Sequence, residues 1–413
     1  MKGFIVIMII FGAIAAAKAQ VEPEATSAVK LAVSGTLTYS ARYSQIAQFY
    51  NKSTGQMASA SGNFGYSTTS ERRPTSISLG AGDNWRISGL GFSTGPYENL
   101  IISQGLNGQH WLLTLRDELS FRHGVGLTEP NPSSATSTAE PIETDDTPIL
   151  DNDATARLSD RLSGSTTLSA SAGFNQLEYP DGNGLGTDTF RASLEMNRRL
   201  EARDSIFGEY SFAQYGYSTG RLTIDANTAV AGWHRGWNRK ISTSVSAGPQ
   251  WLIFQASVPI PSFAGYTANA TIDDSLRFGS AAASFTHGVN GGGGYLYGAE
   301  LNNFSGSFTR QFGHNVRKQL TVELLGGYRF TDTLSSTSSI ALPGGFGAQQ
   351  DYTTKYGYAQ ASRRLGRLFS VYANYTATEQ SPSNAGSSAL LNGLYQTVSF
   401  GIGFTPPSIH LRQ

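Results

Sequence analysis

Residues 241–253 alternate without a break, with Ile241, Thr243, Val245, Ala247, Pro249, Trp251 and Ile253 on one parity. Ser242, Ser244, Ser246, Gly248, Gln250 and Leu252 fall on the other. Successive side chains of a β-strand point to opposite faces, so this pattern encodes a ribbon that is greasy on one side and polar on the other. The same pattern returns in Leu320, Val322, Leu324, Gly326, Tyr328 and Phe330, and in Phe369, Val371, Ala373, Tyr375 and Ala377. It returns again in Val398, Phe400, Ile402 and Phe404, set against Thr397, Ser399, Gly401 and Gly403. Strands of soluble sheets run to about 5–6 residues, whereas a tilted strand crossing a bilayer needs roughly 9–11. Most of these stretches are about 9–13 residues long, the length expected of a bilayer-crossing strand.

The first residues carry an export signal. Lys2 precedes the apolar run 4–11, and small residues follow as far as Ala17-Lys18-Ala19, an A-x-A-like cleavage site. Residues 1–19 are therefore expected to be a signal peptide that exports the chain from the cytoplasm, the strands placing it in the outer membrane, with residues 20–29 a short periplasmic segment. Past the signal there is no apolar run of the length a membrane-crossing helix needs, so any membrane crossing must be made by strands. The chain has no cysteine, which removes disulfides and thiolate metal sites. Its formal net charge is zero, which argues against nucleic acid as a partner.

Connections between the alternating stretches come in two kinds. Residues 163–165, 201–204, 238–240, 314–317 and 366–367 are tight turns, whereas 123–153, 257–275, 331–351 and 380–392 are long and polar. Short turns at one rim and long loops at the other are the asymmetry of an outer-membrane barrel, the short set being periplasmic. The expectation is an all-β fold: a transmembrane antiparallel up-and-down β-barrel of about 16–18 strands over residues 30–404. The count is 18, or 16 if the segment around Tyr295 and Tyr297 is no strand. Residues 123–153 hold seven acidic residues, four prolines and no Lys or Arg, and read as an extracellular loop within one domain. Residues 405–413 are expected to be a periplasmic tail.

If the apolar faces meet lipid, the polar faces line the interior. That set includes Arg116, Glu118, Arg191, Glu195, Glu209, Glu323 and Arg329, and it suits either a water-filled channel or a charge network that plugs one. Asp117 breaks the pattern by falling on the apolar side, which implies a bulge or a different register, because a carboxylate on lipid near the midplane is costly. Tyr39, Tyr43, Tyr66, Tyr217, Tyr297, Tyr356 and Tyr358 lie near strand ends and are expected to form an interfacial aromatic girdle, the alternatives being aromatic cross-strand pairs and a sugar-stacking track in the lumen. No H-E-x-x-H, G-x-S-x-G or P-loop spacing occurs. No catalytic, metal or cofactor residue is therefore assigned, and no enzyme is expected. Asp151-Asn152-Asp153 lacks the Gly and terminal Glu of an EF-hand loop, so it too is read as a solvated acidic cluster.

Residues 99–106, then His110-Trp111 and the 112–121 stretch resemble a block of an uncharacterised family of outer-membrane β-barrels. Residues 291–299, 304–312 and 324–328 resemble further blocks of it. That family is similar to barrels found beside exopolysaccharide synthesis and export machinery. The resemblance implies the barrel fold, and for function a passive pore or export conduit for a polar solute or exopolysaccharide. The alternative is a plugged structural barrel that acts through its surface loops. It also implies as partners outer-membrane lipid and lipopolysaccharide, the barrel-assembly machinery, and polysaccharide-export components. One departure is that the terminal aromatic read by the assembly machinery would be Phe404, which nine residues follow.

Overall fold

A computed structural model describes residues 28–46, 51–68, 70, 72–89, 95–124, 147–181, 186–218, 222–256, 262–290, 299–313, 319–333, 351–382, 393–407 and 409–412. All of its regular elements are strands. The first six are β1 (Ala28–Ile46), β2 (Asn51–Thr68), β3 (Thr75–Gly89), β4 (Gly95–Asn107), β5 (Trp111–Gly124) and β6 (Thr147–Arg161). The next six are β7 (Thr166–Glu178), β8 (Thr187–Arg199), β9 (Asp204–Tyr217), β10 (Leu222–Gly236), β11 (Ile241–Ala256) and β12 (Phe263–Leu276). The last seven are β13 (Gly279–Asn290), β14 (Ala299–Phe312), β15 (Leu320–Thr333), β16 (Tyr352–Leu365), β17 (Phe369–Pro382), β18 (Gly393–Phe404) and β19 (Ile409–Arg412).

Each strand from β1 to β18 pairs antiparallel with the next in sequence, and β18 returns to pair with β1 from Gly35↔Phe404 to Ile46↔Gly393. The sheet is therefore closed: an 18-strand up-and-down barrel, as the alternation and parity predict. Closure gives every strand from β1 to β18 a partner on both sides. The seam runs beyond β18. After Thr405-Pro406-Pro407, where two residues lack an N–H, β19 resumes the ladder with Ala28↔Arg412 to Leu31↔Ile409. The expected tail at 405–413 is thus partly a strand, and β1 starts at Ala28, within residues 20–29.

The two parities separate as the sequence demands. Leu37, Leu194, Met196, Tyr210, Phe304, Leu324, Phe400 and Ile402 are exposed on the outer wall. Ser40, Ser169, Gln250, Asn374 and Ser399 are buried on the inner one. A soluble barrel would bury the apolar parity; this one turns it outward.

The end where β1 starts and β18 finishes has tight turns. In the 163–165 turn the Ser163 N–H donates to Thr166 O (3.2 Å), and in the 201–204 turn the Leu200 N–H donates to Asp204 O (2.9 Å). Asn238 Oδ1 accepts from the N–H groups of Lys240 (2.7 Å) and Ile241 (2.8 Å), an Asx-type closure. Gly366 takes a left-handed φ of 84° in the turn after β16. The expected turn at 314–317 and the segment at 295–297 lie outside the described residues, as do residues 1–27.

All four expected far-end loops need correction. Residues 123–124 belong to β5 and 147–153 to β6, residues 263–275 to β12, residues 331–333 to β15, and residues 380–382 to β17. Clustered Asp, Asn and Thr look like loop composition, but here they are the polar parity of a strand. Only the inter-strand part of the acidic stretch, 125–146, stays outside the described residues.

Candidate solute pathway through the barrel

The inner wall is built in two chemical sectors. On β5 to β9 it carries charge. Arg116 pairs with Glu118 (2.7 Å), and Glu118 also accepts from Asn99 Nδ2 (3.3 Å). Arg191 pairs with Asp153 (2.6 Å), and Arg157 reaches Glu195 (3.4 Å). Asn175 Nδ2 donates to Asp151 Oδ1 (2.7 Å). Glu195 stands directly opposite Glu209 in the ladder, a like-charge pair that costs stability unless a cation serves it, and Arg157 sits on Glu195. Partly solvated pairs of this kind contribute about 0–1 kcal/mol each. Their main effect is on the field inside the barrel, where each arginine offsets one carboxylate and Asp151 and Glu209 add negative charge to this wall.

The expected residues Arg116, Glu118, Arg191, Glu195 and Glu209 all fall in this sector, and the structure brings them together. Glu323 and Arg329 are also inward but stand on β15, six residues apart along one strand, roughly 20 Å at about 3.4 Å per residue. They belong to a different wall and do not meet. Asp151, Asp153 and Arg157 belong to the charged sector but were hidden by the loop reading of 123–153. Their signal was present as Asp151, Asp153, Thr155, Arg157 and Ser159 alternating with Asn152, Ala154, Ala156 and Leu158. The same alternation turns Asn152 away from its two acidic neighbours, so the three do not converge as a cation site. Among the described residues no group of three or more His, Asp or Glu could hold a metal ion.

Asp117 stays on the outer parity. The β4–β5 and β5–β6 registers run through it without a bulge, opposite Ile102 and Ala154. Its side chain is only 8% exposed and Oδ1 has no hydrogen-bond partner. The flanking wall, rather than a register change, shields the carboxyl group.

From β14 round to β2 the inner wall is rich in hydroxyls, amides and phenols, with Glu323 and Arg329 on β15 as charged members. Ser40 Oγ donates to Ser399 Oγ (2.9 Å) across the seam, and Thr36 bonds Ser61. Each such cross-strand pair adds about 0.5–1.5 kcal/mol. Tyr356 stands opposite Gly327, and Tyr372 opposite Gly401. A Cβ at either glycine would collide with the tyrosine ring, so each ring lies across the neighbouring strand instead of projecting into the lumen. The Tyr356 hydroxyl donates to Asn303 Oδ1 (3.2 Å), the Tyr372 hydroxyl bonds Thr38, and the Tyr358 hydroxyl bonds Gln360. Tyr356 and Tyr358 are thus not in an exterior girdle as expected, and neither is Tyr217, which is 4% exposed in an inner cluster. Tyr39 does face outward, whereas Tyr297 lies outside the described residues.

That inner cluster is a second departure from a uniformly polar lumen. Tyr217, Leu222, Ile224, Ala226 and Leu252 pack together on the inner side of β9 to β11 near the far end, with Phe254, Phe263 and Val289 against them.

No protein-family model matches the chain, and no curated protein matches its sequence. Solved structures of similar shape include Acinetobacter baumannii OccAB4, at 9% identity and a TM-score of 0.45, covering 92% of this chain and 98% of that one. Pseudomonas aeruginosa OccK2 (OpdF) in complex with glucuronate matches at 8% identity and a TM-score of 0.46, covering 91% and 98%. The outer-membrane protein opdK of Pseudomonas aeruginosa matches at 8% identity and 0.45, covering 92% and 99%. Likenesses this loose transfer no residue role to this chain.

Proposed function

We propose that this protein is an outer-membrane pore that passes polar solutes passively, and that it is not an enzyme. The observation that carries the reading is the inverted barrel: a closed ring of 18 strands with its apolar parity exposed and its polar parity within. Only a hydrocarbon surround makes an outer wall of Leu, Phe, Tyr and Ile favourable, and a strand ring of 16–18 leaves room for an aqueous channel. Export by the residue 1–19 signal and insertion by the barrel-assembly machinery are parts of the same proposal, as is contact with outer-membrane lipid and lipopolysaccharide. Its more specific form is a conduit for exopolysaccharide working beside export components. Purified full-length protein in planar bilayers is expected to give discrete conductance steps. Correctly inserted protein that stays silent would sink the pore reading.

One observation favours a second reading, a plugged barrel acting through its surface loops: the apolar cluster at Tyr217, Ile224 and Leu252 on the inner wall. Under that reading, deletion of 125–146 abolishes surface binding and leaves insertion intact.

A further inference from the structure

We propose that the wall of β16 and β17 is a binding track for an uncharged oligosaccharide, formed by the ring faces of Tyr356 and Tyr372 with Tyr358 between them. The inference rests on the pore reading and adds selectivity to it. Tyr356 and Tyr372 are each laid flat by a glycine directly opposite, and each has its hydroxyl tied to the wall, to Asn303 and to Thr38. A phenol held this way keeps one face on the wall and turns the other to the lumen. Its hydroxyl is already committed, so it recognises a ligand by its face. The electron-rich face of an aromatic ring suits the C–H groups that line one side of a pyranose.

The three rings follow one path. Tyr356 and Tyr358 are two residues apart on β16, and Tyr372 stands opposite Ser362, four residues further along. At about 3.4 Å per residue the steps are roughly 7 and 14 Å, so linked sugars can rest on successive rings. Half-buried side chains also offer hydroxyl partners, since Thr376 and Thr378 stand opposite Tyr358 and Tyr356. Charge points the same way. Arg116, Arg157 and Arg191 each already hold a carboxylate, so the charged sector offers little to a small organic acid, and the uncharged side chains of the β16–β17 track suit a neutral chain.

The test uses maltohexaose as the probe and glucuronate as the charged control, on the full chain in planar bilayers. Maltohexaose is expected to produce resolved current blockades, and glucuronate none at the same concentration. The double variant Tyr356→Ala, Tyr372→Ala should shorten blockade times at least fivefold. The double variant Tyr356→Phe, Tyr372→Phe, which keeps both rings, should retain them. A conducting channel that maltohexaose does not block overturns the track and leaves the pore reading standing. Phe variants that behave like the Ala variants also overturn it. If no variant conducts, the pore reading fails, and the track is judged by tyrosine fluorescence of the detergent-solubilised chain titrated with maltohexaose. A saturable change that the Ala variant lacks supports it, and the absence of one overturns it.

Discussion

At the scale of the residue, the least replaceable groups are those that decide what a ring or a backbone can approach. Gly327 is one, because its missing side chain is the space that the Tyr356 ring occupies. Gly327→Val should drive that ring off the wall and into the lumen. Overpacking of this kind costs roughly 1–3 kcal/mol. It should appear as a lower unfolding temperature together with a smaller unitary conductance, and a Gly327→Val channel of unchanged conductance would show that Tyr356 does not lie against this wall. Gly248 has a different role. A Cβ there would collide with the Ala229 carbonyl, at the point where the β10–β11 ladder passes over Pro249, a residue with no N–H to give. Neither role is legible from the sequence, where both glycines look like ordinary members of an alternating strand. What each one faces depends on a register that only the folded sheet supplies.

At the scale of the element, strand existence and facing were legible, whereas strand ends were not. The outward parity of β11, β15, β17 and β18 is the apolar parity of the sequence, because a period of two leaves a strand only two choices and the solvent selects one. The ends of β6, β12, β15 and β17 were misplaced because Asp, Asn, Ser and Thr serve equally in loops and on a wet inner wall. Outward positions should also respond to depth. Leu194, at the middle of β8 and 51% exposed, sits where an arginine costs roughly 2–4 kcal/mol, whereas near the interface the cost falls to about 0–1 kcal/mol. Val371, the third residue of β17 at the end where β1 starts, should fall in the milder class. Unfolding of Leu194→Arg and Val371→Arg in lipid vesicles measures the difference. Equal penalties would mean that the hydrocarbon belt is not centred where the strand midpoints are.

At the scale of the whole molecule, closure is the central property, and it rests on pairs far apart in the chain. Ser40 and Ser399 are opposite residues with their hydroxyl oxygens 2.9 Å apart. A disulfide needs its Cβ atoms about 3.5–4.5 Å apart, which directly opposed residues satisfy. Because the chain has no cysteine of its own, the double variant Ser40→Cys, Ser399→Cys should form a single cross-seam bond on oxidation. That bond would keep the compact electrophoretic form closed on heating until reductant is added. Failure to cross-link would place the seam elsewhere. A barrel closed this way also sorts its interior. Five consecutive strands bring most of the charged inner residues to one wall, and the strands flanking the seam bring tyrosines, serines and amides to the other.

By itself the sequence determined that the chain makes long two-faced strands, that these number about eighteen, and that their apolar side faces outward from a polar interior. Those properties are local: each depends on side-chain parity and strand length within one segment. Only the tertiary structure decided which strands close the ring, that Arg191 meets Asp153 and Arg157 meets Glu195, and that Tyr356 and Tyr372 lie flat over glycines. It also showed an apolar cluster inside the far end that no single segment announces. The physical reason is register. Alternation tells a side chain which face it joins, but a residue's partner across the ladder depends on where the neighbouring strand begins, and that is settled only when the ring closes.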